Sequence, residues 1–536
     1  MRVVIVGAGL SGLTLAAMLR RVNVNCVVIE RMPDLDSLYQ PPITLWSNAL
    51  NCLSAFDLPT LLNYHSPNLV PESHFGIRRP PRGAARREGA AYTPDPDDGE
   101  LATPSPAQLV SPPPRWLLRM HNRSVQQPMM DEADMIPAAV APSSTSESLV
   151  SRVVLEEIKK ELAAVPLRHT ISARRVKAAL REVIHDVRFG RAVVDLCPSS
   201  ATGGSRNTGG VDVVLDNGTV EPADVVVGAD GLYSTVRRLV YPFQMEAHTP
   251  LSQNVTQIDG YLRVAGFPPV LGDDPFEVWG DQKTFSYFPM QDVACPVRPM
   301  NAAERRTNPG EEAEAHRRKG TNDDGGDLAR AAVPPSSHFR KYIGFSATLY
   351  RSPEEIVQLG QLHSPEEVTR ACRGLLDKHF ADFGEDIRRI MRTAEYAAPA
   401  ELLEVPIMPQ WHHRRAVLLG DAAHGSLPSV LAQDASMCVE DAALLATTLM
   451  SVPCDRDSGY AYAFRSYEKS RRHRVEQFIR NSRRARALAA MPSAGGRTFV
   501  RDLALRATPS FVATRSQSWL TSWSYRSRSL LYDPAE

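Results

Sequence analysis

The sequence predicts an α/β protein with a doubly wound, Rossmann-like domain, a second domain built on a β-sheet, and a helical C-terminal segment. Three observations carry this prediction. The chain opens on a strand, a glycine-rich turn, a helix and a second strand; two later β-branched strands each run into a glycine and an aspartate; and residues 258–290 alternate apolar and polar side chains, many aromatic. At 536 residues, 43% hydrophobic and 23% charged, the chain can bury a large core across several domains. Sixty-one Lys plus Arg balance sixty-one Asp plus Glu, so overall charge points to no nucleic-acid or anionic-membrane partner. The seven cysteines are scattered and form no C-x-x-C pair, a usage that fits a reducing, cytoplasmic setting.

Residues 3–6 form a short β-branched strand, 10–21 have helical spacing, and 26–30 form the second strand. The apolar run at 3–19 is neither an anchor nor a signal peptide. Gly7, Gly9, Gly12, Ser11 and Thr14 interrupt it, and Arg20 and Arg21 follow rather than precede it. Residues 71–120 hold ten prolines, and 71–149 is expected to be a disordered insertion. A second insertion is expected over 295–338, where residues 301–330 carry thirteen charges and no aromatic. Between them, 176–184 reads as helix and 192–196 and 211–215 as strands, with Asp216-Asn217-Gly218 closing a turn and 225–227 a buried strand. The aromatic-rich alternation at 258–290 predicts a separate, mostly antiparallel sheet. Residues 416–419 form another strand, 434–450 a helix, and the chain from 460 is helical and basic. Trp519, Trp523 and Tyr525, set among Arg515, Arg526 and Arg528, are expected to fold back on the protein.

Three motifs carry chemistry. In Gly7-Ala8-Gly9-Leu10-Ser11-Gly12, Gly7 permits the tight turn, Gly9 lets a pyrophosphate approach the backbone, and Gly12 lets helix and strand pack closely. The helix N-terminus then offers free N–H groups and its dipole to phosphate. Glu30 closes the second strand, where it can accept both ribose hydroxyls of an adenosine and repel a 2′-phosphate, so the site should hold FAD or NAD. The second motif, Asp224 to Gly231 followed by Ser234-Thr235-Val236-Arg237-Arg238, sets Asp230 and Gly231 at the end of a buried strand, where ligands of parallel sheets bind. The third runs from Gly420-Asp421 through Pro428 to Gln433-Asp434-Ala435 at the start of a helix. An aspartate there can hold a polyol, and a helix N-terminus can stabilise an anionic ring.

In this order the three motifs resemble the FAD-dependent monooxygenases of the p-hydroxybenzoate hydroxylase type, over about 1–60, 165–290 and 340–490. Phe276-Glu277-Val278-Trp279-Gly280 with Tyr287-Phe288-Pro289 resembles that family's substrate-sheet segment, and Tyr467-Glu468 with Arg471, Arg472 and Arg474 its C-terminal helix. The resemblance implies an FAD domain formed by 1–70, 150–250 and 395–450, a substrate domain at 251–394, and a helical segment and tail at 451–536. It also implies that Glu30 binds the adenine-side ribose and Asp421 the ribityl chain, and that Asp230 and Gly231 serve both FAD and NAD(P)H. Pro428 would lie near the ring, Ile43 would start the strand passing the flavin, and Gln433, Asp434 and Ala435 would present N–H groups to its pyrimidine edge. Three positions depart from the pattern. Pro41-Pro42 replace glycines before Ile43, Ala432-Gln433-Asp434 stands for Gly-Gln-Gly, and Ala173 takes the place of an arginine, with Arg174 or Arg175 as its substitute.

The activity so implied is hydroxylation or epoxidation of an aromatic or polyketide-like molecule. NAD(P)H reduces FAD, dioxygen adds at flavin C4a, and the resulting hydroperoxide passes one oxygen atom to the substrate. Tyr261, Arg263, Trp279 and Tyr287 are the candidate pocket residues; no catalytic base stands out. The chain is expected to act as a monomer or homodimer without nucleic acid or a transmembrane segment. Two alternatives remain open: an oxidase or reductase on the same scaffold, and a non-catalytic binding protein that has lost flavin. His424 is expected to be structural, His412-His413 lack a third ligand at metal spacing so no metal is expected, and the nine basic residues of 465–486 are expected to form a solvated face, with one arginine near the NADPH phosphates.

Overall fold

The computed structural model describes residues 1–35, 42–56, 58, 74–80, 115–121, 168–199, 210–244, 249–252, 255–293, 339–351, 356, 359, 362, 364–400, 402–425, 432–451 and 457–508. Pro41, Pro428, the stretch 295–338 and the aromatic tail from 509 lie outside these residues.

A six-stranded sheet runs in the order His412–His413, Ala416–Leu418, Val225–Gly228, Arg2–Val6, Asn25–Ile29, Val187–Arg188. All its pairings are parallel except the first. Val3, Val4, Ile5, Val225, Val226 and Val227 are fully buried, as strands covered on both faces must be. The Leu10–Arg21 and Asp434–Ser451 helices cover the sheet and pack on each other, and Ala17, Leu13, Ala442 and Ala443 all lie within its core. The expected turn at 216–218 joins Val211–Leu215 to Val220–Ala223 in a three-stranded antiparallel sheet, with Gly218 at a φ of +80°. The helix expected at 176–184 spans Ala173–Glu182, and the C-terminal helix begins at Asp457 and runs to Ala489.

The second sheet has seven strands, ordered Tyr396–Ala400, Thr256–Val264, Phe339–Leu349, Lys283–Val293, Phe276–Trp279, His74–Arg79, Arg115–His121. Its pairings are antiparallel except that of Phe276–Trp279 with His74–Arg79. The last two strands correct the expectation of disorder over 71–149. Proline content averaged across that window hides two short segments that carry Phe75, Ile77, Leu117 and Leu118, and these pair with each other at the edge of an existing sheet. Gly76 holds the pairing close: its φ is +150°, and a Cβ there would overlap the Leu118 carbonyl oxygen.

The sheet's two faces differ. Phe285, Tyr287, Ile343, Phe345 and Ala347 point into a core closed by the Pro365–His379 and Glu385–Thr393 helices. The alternate residues Ser286, Phe288, Ser346 and Thr348 are half-buried on the other face. That face looks toward the first domain. Pro42 packs over Gly344, where a Cβ would lie 2.8 Å from the proline Cγ.

Candidate active site

The glycine-rich turn separates into three roles. Gly7 has a φ of +106° and Gly12 packs on its carbonyl; a Cβ on Gly12 would overlap the Gly7 oxygen and one on Gly7 the Ala229 oxygen. Gly9 differs. A Cβ there would find its nearest neighbour, the Ala229 oxygen, at 3.9 Å, so this side of the turn is open. No side chain caps the Leu10–Arg21 helix and its first turn holds no acid, which leaves N–H donors facing that space. Gly420 backs onto Ser11 with a φ of +59°, and the exposed Asp421 follows it. An open cradle, uncapped donors and a solvent-facing carboxylate suit the pyrophosphate and polyol of FAD.

The two other acids have partners of their own. Glu30 accepts the N–H of Ala8 at 2.7 Å and of Met32 at 2.8 Å, fastening the turn to the second strand. Asp230 accepts the Ser234 hydroxyl at 2.5 Å and the N–H groups of Thr235 and Val236 at 2.7 and 3.1 Å, capping the Thr235–Val240 helix. Burial raises its pKa against these bonds. Gly231, beside it, takes a φ of +77°.

Ile43 lies on Pro42–Trp46, paired with Arg168–Ser172, and Arg174 is half-buried on the first turn of the next helix. The Ser436 hydroxyl ties this strand to the Asp434–Ser451 helix, accepting from the Trp46 N–H at 2.9 Å and donating to the Thr44 oxygen at 3.3 Å. Gln433 is buried, and Asp434 and Ala435 begin the helix. Ala432 sits at a φ of +51°, so the residue in place of glycine keeps the left-handed turn at a cost of about 1 kcal/mol or more.

Where the domains meet, Gly76, Arg168, Pro275, Phe276, Glu277, Phe288 and Ala432 line a cleft. Arg168 is buried, its guanidinium 5.5 Å from the Trp46 ring and 4.8 Å from that of Phe75. Glu277 accepts the Trp279 Nε1–H at 2.9 Å.

None of the four pocket residues expected from the sequence lines this cleft. Tyr287 is fully buried on the opposite face, its hydroxyl donating to the Gly272 oxygen at 3.1 Å. Trp279 is buried beside Ile77, Leu117 and Ala489, under the Arg501 guanidinium. Arg263 pairs with Glu395 at 2.8 Å near solvent, and Tyr261 stacks on Tyr396. Aromatic character selected these positions, but strand parity turns Tyr287 to the other face, and Tyr261, Arg263 and Trp279, although on the face of Glu277, are held away from the cleft by partners of their own. Glu277 and Phe288 each lie next to or near a chosen residue; Gly76 fell in the stretch expected to be disordered, and Arg168 lay within the expected FAD domain but in none of the three motifs.

The basic C-terminal helix is also not a simple solvated face. Arg471 is fully buried, its Nε 2.5 Å from Asp441 Oδ1 and its Nη1 on Glu440; Arg474 also pairs with Glu440, and the Asn48 Nδ2 donates to Glu440 at 2.5 Å. His424 Nε2 lies 2.6 Å from Asp441 Oδ2. Burial pushes the Asp441 carboxyl up, but Arg471 and His424 outweigh it and hold it below the usual range. His412 bonds Glu468 at 3.0 Å, and no group of three metal-ligating side chains occurs among the described residues.

Residues 1–40 match the model of an FAD binding domain. The 3-amino-4-hydroxybenzoate 2-monooxygenase of Streptomyces cremeus is 25% identical over 95% of this chain and 92% of its own length. The chain is thus similar over nearly its whole length to an FAD-dependent aromatic monooxygenase. The FAD-dependent urate hydroxylase of Mycolicibacterium vanbaalenii is 22% identical over 90% of this chain and 87% of its own. The fold of this monooxygenase matches that of Klebsiella pneumoniae HpxO complexed with FAD and uric acid, with a TM-score of 0.61, 15% identity, and 97% of each chain covered. No helix among the described residues is long and apolar enough to cross a membrane.

Proposed function

We propose that this FAD-dependent monooxygenase hydroxylates an electron-rich aromatic ring held between Arg168 and Glu277, consuming NAD(P)H. Bound FAD supplies the redox chemistry and the activation of dioxygen. The protein supplies binding, orientation and proton control. Gly9 and the first helix N-terminus receive the pyrophosphate, Glu30 the adenine-side ribose, and Asp421 the ribityl chain, while Gln433, Asp434 and Ala435 turn backbone donors to the ring's pyrimidine edge. Asp230 acts indirectly, by holding the Thr235–Val240 helix beside Gly231.

In the cleft, Glu277 accepts the proton of a ring hydroxyl, or a hydrogen bond from a ring amine, which enriches the carbon to be oxidised. Arg168 balances the charge of a substrate anion, and the Trp46, Phe75 and Phe288 rings keep water out. The position of Glu277 carries this reading: a carboxylate lines the cleft where the sheet meets Ala432 and the start of the Asp434–Ser451 helix. The buried free thiols Cys26, Cys52, Cys372 and Cys438 fit a cytoplasmic setting, and a monomer or homodimer suffices for a site made within one chain.

The test is isotopically labelled dioxygen, supplied to the FAD-loaded enzyme with NADPH and a panel of phenols and aminophenols. One labelled atom in the product is expected. Product lacking label, with peroxide accumulating, would assign the chain to the oxidases instead.

A further inference from the structure

The cleft is one end of a longer polar surface. Glu277 stands directly opposite Ser286, Ser286 opposite Ser346, and Ser346 opposite Asp259. Residues paired across neighbouring strands project from the same face, so these four make one row on the face turned toward the FAD domain. Three inter-strand steps give the row a length of about 14 Å. One end lies in the cleft with Arg168 and Phe288; the other lies beside the stacked rings of Tyr261 and Tyr396.

Asp259 is the unusual member. It is 6% exposed, and its Oδ1 accepts both the Ser346 hydroxyl at 2.6 Å and the Gln257 amide at 2.8 Å. Its Oδ2 accepts from no described residue. A carboxylate nine-tenths buried with one oxygen open is costly, and a threonine such as neighbouring Thr348 would fill the position without that cost. The half-buried Ser286 hydroxyl likewise bonds to nothing among the described residues.

Resting on the cleft being the substrate site, we propose that Asp259, with Ser346 and Ser286, is a specificity site that accepts hydrogen-bond donors on the far end of the substrate. The preferred substrates are then hydroxylated aromatics of two or more fused rings. A single ring held at Arg168 and Glu277 does not reach Asp259. A phenolic hydroxyl on a second or third ring does, and it satisfies the open oxygen.

Equilibrium binding to the FAD-loaded full chain tests this without turnover, read from the shift in the flavin absorption band. The probes are a trihydroxyanthraquinone and 4-hydroxybenzoate, and the variants Asp259→Asn, which keeps the Oδ1 acceptor, and Ser286→Ala. Loss of a hydrogen bond to a charged group corresponds to about tenfold or more in affinity. Expected is tighter binding of the three-ring probe by wild type, a drop of about tenfold or more in Asp259→Asn and a smaller drop in Ser286→Ala, with 4-hydroxybenzoate affinity and FAD content unchanged. Equal binding of the three-ring probe by all three proteins would overturn the proposal, as would tighter binding of the one-ring probe by wild type. So would a parallel loss of FAD and of both ligands in Asp259→Asn, which marks a purely structural residue. Because no step of turnover is read, these results stand whether or not oxygen is inserted.

Discussion

The two sheets solve different problems with the same strand geometry. The six-stranded sheet is apolar on both faces, and its proposed binding site lies at the strand ends, where glycines leave backbone atoms open. The seven-stranded sheet is apolar on one face only and carries polar side chains such as Glu277 and Asp259 on the other, the face proposed to bind substrate. A site made of backbone fails outright when one atom is added. A site made of side chains degrades by steps, each set by one hydrogen bond or charge.

The most severe test of that contrast is Gly12→Ala. Its new Cβ would overlap the Gly7 oxygen, so the variant should purify without flavin or fail to fold; flavin content matching wild type would show that the turn tolerates side chains. Glu277→Gln, on the other sheet, should keep its flavin and lose about a hundredfold in substrate-dependent turnover, the lower range for a removed general base. Flavin content and steady-state rates on one preparation settle both.

Asp259→Asn sharpens the comparison through pH. Burial raises this carboxyl from its ordinary 3.8 to about 6, with the Ser346 and Gln257 bonds opposing. The folded protein therefore holds the proton more tightly than the unfolded chain. The resulting penalty is absent below about pH 4, grows between 4 and 6, and is full above 6. The variant should thus be more stable than wild type at pH 8, by at most about 3 kcal/mol, and equal to it near pH 4, as read by urea unfolding. Equal stability at both values would mean that the carboxyl is better solvated than its burial implies.

The smallest effect belongs to Ala432→Gly. Relief of the left-handed φ should offset the added freedom of the unfolded chain and leave a gain of about 1 kcal/mol or less, seen as a small rise in melting temperature.

These differences also explain what could be read from the sequence. The strand, glycine turn, helix and second strand around Gly7, Gly9 and Gly12 were legible because their constraints are local and fall within thirty residues, whereas the bonds that tie Glu30 back to the turn were not. The substrate sheet was legible as strands, but not as faces. Tyr287 and Phe288 are adjacent aromatics, and only the helices packed against Tyr287, far along the chain, decide that Phe288 is the one that meets the cleft. Gly76 was hidden for a related reason, since its strand exists only by pairing with Arg115–His121 across a proline-rich stretch. Arg471 resembles its eight basic neighbours in sequence, and its burial follows from where Glu440 and Asp441 stand on another helix.

That last arrangement limits how the protein can be recombined. The break between the Asp434–Ser451 and Asp457–Ala489 helices is a natural place to join parts of two related enzymes, yet a crossover there would separate Glu440 and Asp441 from Arg471 and Arg474. A graft that brought in a different set on either side would strand charges where no water reaches them. The Asp457–Ala489 helix is therefore best moved together with the Asp434–Ser451 helix as one unit, and shuffled libraries should place their junctions elsewhere.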